Sequence, residues 1–390
     1  MPIKNGGCKM YISRIMAKNW RNFRAVDVSL SETTYLIGPN ASGKSNFLDI
    51  VRFMRDIVNP NGGGLQQAVK SRGDMKKLRC LAGRKGPGIE LHFELSNTAR
   101  DVPKWSYILS FANEGHGKRR AVVKKEAVLL NGNKLFVRPD EDDKEDPERL
   151  TETYLEQTNS NREFREIAEF FQKTLYLHLV PQLLKHSEMF VAKQNESDPF
   201  GQGFLNQIAS VQEKTRNSRL RRTEDILKKV IPHFKELRFR KDEITGKPHL
   251  EMRYVHWRPN AGWQREDQFS DGTLRLIALI WTLMSSDNVI LLEEPELSLN
   301  GKIVEQIPRM LSQAHASRRK SGGQVLISTH SPQLLSSNSI TGSFLILSPK
   351  EHGESTEIDE PAEIDAQAMR AGMSPADILL PKTTASVGDF

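Results

Sequence analysis

"TTYLIGPNASGKSNFLDIVRFMRDIV", residues 33 to 58, passes from a short β-rich run through a glycine-bracketed loop into an amphipathic segment. Phe47, Ile50, Val51, Met54 and Val58 recur at helical spacing, and Pro60 with the glycines at 62–64 stops the helix. The loop Gly38, Pro39, Asn40, Ala41, Ser42, Gly43, Lys44, Ser45 fits G-x-x-x-x-G-K-S, with Asn46 next in line, and it lies between strand and helix as that motif requires. Its glycines let backbone N–H groups curl around a β-phosphate while the helix N-terminus adds positive potential. Lys44 would reach the β- and γ-phosphates. Ser45 would offer a hydroxyl to Mg²⁺, a hard cation that takes oxygen ligands. ATP and Mg²⁺ are therefore the expected ligands.

A second stretch answers the first across more than 200 residues of chain. "FSDGTLRLIALIWTLMSSDNVILLEEPELSLN", residues 269–300, runs from a polar turn through an apolar helix to an apolar strand ending on Glu293 and Glu294. Open α/β sheets bind ligands at the carboxyl ends of their strands, where these acids fall. Glu293 is read as the magnesium partner and Glu294 as the base that orients or deprotonates the attacking water. The buried-strand pattern "QVLIS" then leads to His330, placed to hydrogen-bond a γ-phosphate or hold that water.

Length and composition fit this picture. A chain of 390 residues, 37% hydrophobic and 27% charged, is large enough for one big domain or two. No apolar run is long enough to span a bilayer, the N-terminus has no export signal, and two cysteines make no disulfide framework. The expected home is cytoplasmic, with no membrane contact. Segments 88–97, 105–113 and 121–137 read as antiparallel strands, "PDEDDKEDPE" at 139–148 as a solvated acidic loop, and residues 150–232 as mainly helical, with 161–175 and 204–212 the clearest helices. Lobes are expected at 1–140 and 235–350, separated by a helical insertion at 141–234 and followed by a tail at 351–390.

The net charge of +7 suits a phosphate-rich partner. Between residues 214 and 241 lie Lys214, Arg216, Arg219, Arg221, Arg222, Lys228, Lys229, Lys235, Arg238, Arg240 and Lys241, against Glu224, Asp225 and Glu236. Lys118, Arg119, Arg120, Lys124 and Lys125 form a second cluster. Such clusters bind DNA or RNA backbones without reading sequence.

The order of phosphate loop, long insertion, Ser-Asp-Gly turn, acidic strand end and histidine resembles the ABC-type ATPases of the SMC/RecF superfamily, and within them the overcoming-lysogenisation-defect (OLD) type of phage-defence ATPase. "NWRNFRAVDVSL" is similar to the opening strand of that group, "FSDGTLRLIAL" to its signature, "LLEEPELSLN" to Walker B and the D-loop, and "STHSPQLL" to the H-loop. The resemblance implies a P-loop α/β head: a mixed sheet flanked by helices plus an antiparallel β subdomain, split by the insertion. It implies a head-to-head dimer or higher homo-oligomer, in which Ser270, Asp271 and Gly272 of one copy close over the nucleotide of the other. Gln182 falls where RecF-like proteins carry a Q-loop. Two departures stand out: Glu293 occupies a position where the wider superfamily has aspartate, and the signature reads SDG rather than SGG. Only about sixty residues follow His330, so a TOPRIM-type or other nuclease is expected on a separate protein. The implied function is a nucleotide-gated switch in phage defence; the alternative is a RecF/SMC-like DNA-binding ATPase of repair or recombination.

Overall fold

The computed structural model describes residues 10–83, 88–98, 101–115, 118–185, 201, 203–255, 262–286, 288–317, 323–350 and 355–383. Its strands are β1 (Tyr11–Trp20), β2 (Phe23–Ser29), β3 (Thr33–Ile37), β4 (Ile89–Ser96), β5 (Trp105–Gly115), β6 (Lys118–Leu130) and β7 (Asn133–Arg138). They continue as β8 (Leu175–Leu177), β9 (Phe234–Lys241), β10 (Pro248–Tyr254), β11 (Gln264–Arg265), β12 (Val289–Glu293), β13 (Gln324–Thr329), β14 (Ser343–Pro349) and β15 (Thr356–Asp359).

The central sheet has the order β15-β14-β3-β13-β12-β8. Neighbours from β14 to β8 pair in parallel, and β15 closes one edge antiparallel. Its inner strands are mainly apolar and buried almost throughout because helices or a second sheet cover both faces. Alternation sorts the side chains. Leu36, Leu291, Leu326, Leu345 and Leu347 share a core with the helix Lys44–Ile57 and the antiparallel sheet. Tyr35, Ile37, Ile290, Leu292, Val325 and Ile327 share the other with the helix Asp271–Ser285 and Leu379 near the C-terminus.

The antiparallel sheet, β2-β1-β4-β5-β6-β7, covers the helix Lys44–Ile57. Phe53 of that helix stacks on Phe111 of β5 at 5.4 Å and meets Trp20 edge-on at 5.1 Å. β6 and β7 are joined by Asn131 and Gly132, both at positive φ (49° and 79°), the geometry a two-residue hairpin needs and Asn-Gly supplies. Gln324, buried at the start of β13, donates to the carbonyls of Ile12 and Ser31 and accepts from the Ile12 N–H, tying the two sheets together. A third sheet, β11-β10-β9, shares the second core with Leu220 and Leu227 of the helix Glu213–Val230.

Three segments depart from the sequence reading. The acidic run at 139–148 is largely solvated as expected, but it is not all loop: Glu141–Glu145 is helical, Asp140 and Asp143 form a capping box, and Asp143 is buried against the guanidinium of Arg138 at 2.8 Å. Charge density conceals a partner that arrives from the preceding strand. The helix expected over 161–175 is confined to Arg165–Gln172, and Leu175–Leu177 becomes β8, an edge strand beside β12. Beyond Pro349, β15 extends the sheet, and the helix Pro375–Thr383 buries Leu379 in the second core. Cys8 and the side chain of Lys118 lie outside the described residues.

Candidate functional site

The phosphate loop leaves β3 and enters its helix through Gly43, held left-handed at φ 98°. A Cβ there would stand 2.1 Å from Asn22 Nδ2, so both conformation and space require glycine. Asn22 organises the loop from outside: its amide donates to the Ser42 carbonyl at 3.2 Å and to Thr356 Oγ1 at 2.8 Å, and its oxygen accepts from Asn46. Lys44 turns inward and donates to the carbonyls of Gly38 and Pro39, each at 2.8 Å. Burial pushes its ammonium below the usual lysine value, opposed by Glu294, Glu296 and Glu293. Ser42 is fully buried, and its hydroxyl has no hydrogen-bond partner. A cradle with an inward ammonium and an unused hydroxyl fits a polyphosphate.

Three strand ends converge on the loop. The Ser45 hydroxyl donates to Glu293 Oε1, bringing together the two residues expected at magnesium. A hydroxyl and one carboxylate suit a cation that takes its remaining oxygens from water and phosphate. Among the described residues no cluster of three His, Cys, Asp or Glu side chains is placed to hold a metal by itself. Glu294 sits at φ 45°, its N–H bonded to the Ser328 carbonyl of β13 at 3.1 Å. His330 Nδ1 lies 3.2 Å from Glu294 Oε1 without a hydrogen bond's alignment, and the imidazole is 41% exposed, open to a ligand.

Behind these residues lie groups the sequence reading passed over. Glu296 is buried, with one oxygen accepting from Thr329 Oγ1 at 2.6 Å and the other unpartnered, and burial raises its pKa. Arg275 donates to the Glu294 carbonyl at 2.9 Å, and burial lowers its pKa. Tyr176 of β8 donates its hydroxyl to Glu293 Oε2. Glu296 was visible as a third acid in "EEPE"; Tyr176, 117 residues from its partner, carried no local cue.

The Ser-Asp-Gly turn opens the helix Asp271–Ser285, with Ser270 as its N-cap, accepting from the Thr273 N–H at 3.2 Å. Gly272 lies against the loop after β12: a Cβ would approach the Ser298 carbonyl at 2.7 Å. Gln182, in the short helix Pro181–Lys185, donates to Asp271 Oδ2 at 3.2 Å, and Lys185 pairs with the other oxygen at 2.6 Å. In this structure Gln182 therefore serves the signature turn.

Part of the basic run is spoken for. Lys228 pairs with Glu224, Arg238 with Glu251 and Arg240 with Glu243, while Arg216 and Arg219 lie over Phe239 and Trp281. Lys214, Arg221, Arg222, Lys229, Lys235 and Lys241 stay exposed. In the second cluster Arg120 pairs with Glu114 and Glu148. Among the described residues no helix is long and apolar enough to cross a membrane.

With that geometry, the match of residues 34–336 to the AAA_21 family, described as "AAA domain, putative AbiEii toxin, Type IV TA system", covers every motif from β3 to the histidine turn. The chain belongs to this family. Two relatives flank it in sequence. The Endonuclease GajA of Bacillus cereus is 21% identical over 354 residues, 84% of this chain and 56% of that protein. The DNA replication and repair protein RecF of Chloroflexus aggregans is 40% identical over 52 residues, 13% of each. The chain thus spans little more than half of one relative and a small part of the other. In structure it is similar to an Smc head bound to the C-terminal winged-helix domain of ScpA, with TM-score 0.51 and 13% identity over 92% of this chain and 99% of that one. An Smc head with an extended coiled coil, bound to a ScpA domain and derived from Pyrococcus furiosus, gives the same TM-score and identity over 93% of this chain and 99% of that one. The fold is that of an SMC/RecF-type ATPase head, and the family match with the GajA likeness makes it OLD-like.

Proposed function

We propose that this chain binds ATP with magnesium at the carboxyl ends of β3, β12 and β13, dimerises head to head, and hydrolyses the nucleotide as a switch in phage defence beside a separately encoded effector nuclease. The observation that carries the reading is the meeting of Ser45, Glu293, Glu294 and His330, brought from three distant segments to one end of the sheet.

Ser45 and Glu293 would hold the cation, which when bound neutralises charge on the β- and γ-phosphate oxygens. Lys44 exchanges two loop carbonyls for phosphate oxygens. Glu294 takes the proton of the attacking water, and His330, facing the same carboxylate, orients that water. The Ser270–Gly272 turn of one head presents its helix N-terminus to the nucleotide of the other, where N–H groups favour an anion. Closure follows binding, and hydrolysis reopens the pair.

The defence role is supported by the OLD-like motif order and by similarity to a protein named an endonuclease. The second reading, a RecF-like clamp on DNA, is favoured by the exposed cations between Lys214 and Lys241. One experiment separates them. Tagged Glu294→Gln protein, which should retain ATP, is pulled from its native host in ATP with and without nuclease treatment. A nuclease-like protein that persists after treatment supports the switch. DNA with repair proteins, lost on treatment, replaces it with the clamp.

A further inference from the structure

Both oxygens of the Glu293 carboxylate are held in this structure, and by different elements. Ser45 Oγ donates to one from the phosphate-loop helix, and the Tyr176 hydroxyl donates to the other from the edge strand β8. The register explains why. Tyr176 stands opposite Leu291 across the parallel β12–β8 pair, and Glu293 follows Leu291 by two residues, so all three side chains leave the same face. Arg52 of the helix Lys44–Ile57 lies over the Tyr176 ring at 4.8 Å and fixes it against that face.

The two hydroxyls are not equivalent once a cation arrives. Ser45 is the residue of a phosphate loop whose oxygen a metal takes, and an oxygen that coordinates has a changed relation to the carboxylate beside it. Tyr176 is then the donor that continues to aim Glu293. The need is specific to this chain, because glutamate carries one more rotatable methylene than aspartate and has more freedom to lose. Donors to a ligating carboxylate fix its orientation, and losing one typically costs about 10–100-fold in metal affinity.

We infer that Tyr176 is a positioning residue of the magnesium site, holding Glu293 in its ligating orientation through the phenolic hydroxyl; this rests on the ATPase reading above. β8 leads within a few residues to the helix Pro181–Lys185, whose Gln182 and Lys185 hold Asp271 of the Ser-Asp-Gly turn.

The test uses the full chain, with Mn²⁺ as the spectroscopic probe and ATP present. Tyr176→Phe keeps the ring, the Arg52 contact and the strand, and removes one hydroxyl. Mn²⁺ affinity, followed by electron paramagnetic resonance, should fall about 10-fold, while ATP affinity and melting temperature in EDTA stay at wild-type values. Glu293→Asp shortens the reach to the tyrosine, so it should weaken Mn²⁺ by itself, and adding Tyr176→Phe should weaken it little further. Unchanged Mn²⁺ affinity in Tyr176→Phe, or losses that simply multiply in the double variant, overturns the inference and leaves the ATPase reading standing. A lowered melting temperature with unchanged Mn²⁺ affinity makes the tyrosine structural and overturns it too. Wild-type protein that binds no Mn²⁺·ATP overturns the ATPase reading and the inference together.

Discussion

Two groups of buried charge in this molecule are handled in opposite ways. In the antiparallel sheet, Glu126 is fully buried and accepts from the Tyr107 hydroxyl, the Arg138 guanidinium and the N–H groups of Tyr154 and Leu155. Arg138, equally buried, spends every donor on Asp143, Glu126 and the carbonyls of Arg149 and Glu152. At the carboxyl end of the central sheet the polar groups are left short. Ser42 Oγ and one Glu296 oxygen have no partner, Lys44 is parked on loop carbonyls, and Ala41, Glu294 and Ser298 hold positive φ. A buried charge without a full set of partners is costly, and it persists where a ligand completes it. The first cluster is complete without a ligand, and the open positions of the second are those the proposed nucleotide would fill.

That contrast can be broken most severely at Lys44. Lys44→Ala should abolish nucleotide binding while the fold survives; unchanged ATP affinity would remove the phosphate-cradle assignment. Next in size, Glu294→Gln should keep ATP and lose about 10²–10⁴-fold in turnover, the range of a general base. Steady-state phosphate release at the wild-type rate would take Glu294 out of its role.

The scaffold side answers in stability instead. Arg138→Ala strands Glu126 and Asp143 in the interior and should cost about 3–5 kcal/mol. Glu296→Gln in the site keeps an acceptor for Thr329 and should change stability by only about 1 kcal/mol. Denaturant midpoints compare the two, and equal losses would erase the distinction drawn here.

A pH-dependent effect belongs to Glu156, which accepts from the Leu65 N–H and the Thr153 hydroxyl. Burial pushes its carboxyl up to about 7 from an ordinary 4.5. A raised carboxyl favours folding while protonated, so its contribution is full below pH 4.5 and is lost as the pH climbs through 7. Wild type should therefore lose melting temperature between pH 5 and pH 8 relative to Glu156→Gln. An identical difference at both pH values would show that Glu156 does not titrate in this window.

Legibility followed locality. The phosphate loop could be read because its chemistry occupies eight consecutive residues, and Glu293, Glu294 and His330 because each ends an apolar strand. Antiparallel strands were visible where they adjoin in sequence. β8 was not, because three residues after a helix make no pattern until β12 lies beside them. Within the run at 139–148 only Asp143 escaped the reading, for the same reason: it looks solvated like its neighbours until Arg138 pairs with it.

By itself, then, the sequence determined the P-loop architecture, the ligands expected at it and the residues that would touch them, since backbone conformation and side-chain chemistry there are encoded within short windows. Tertiary structure alone decided which groups meet: Ser45 with Glu293, Tyr176 with the same carboxylate, Gln182 with Asp271, and Asn22 with both the loop and Thr356. Those meetings depend on strand order and register across hundreds of residues, and sheet pairing is a property of the packed core that no single window of chain contains.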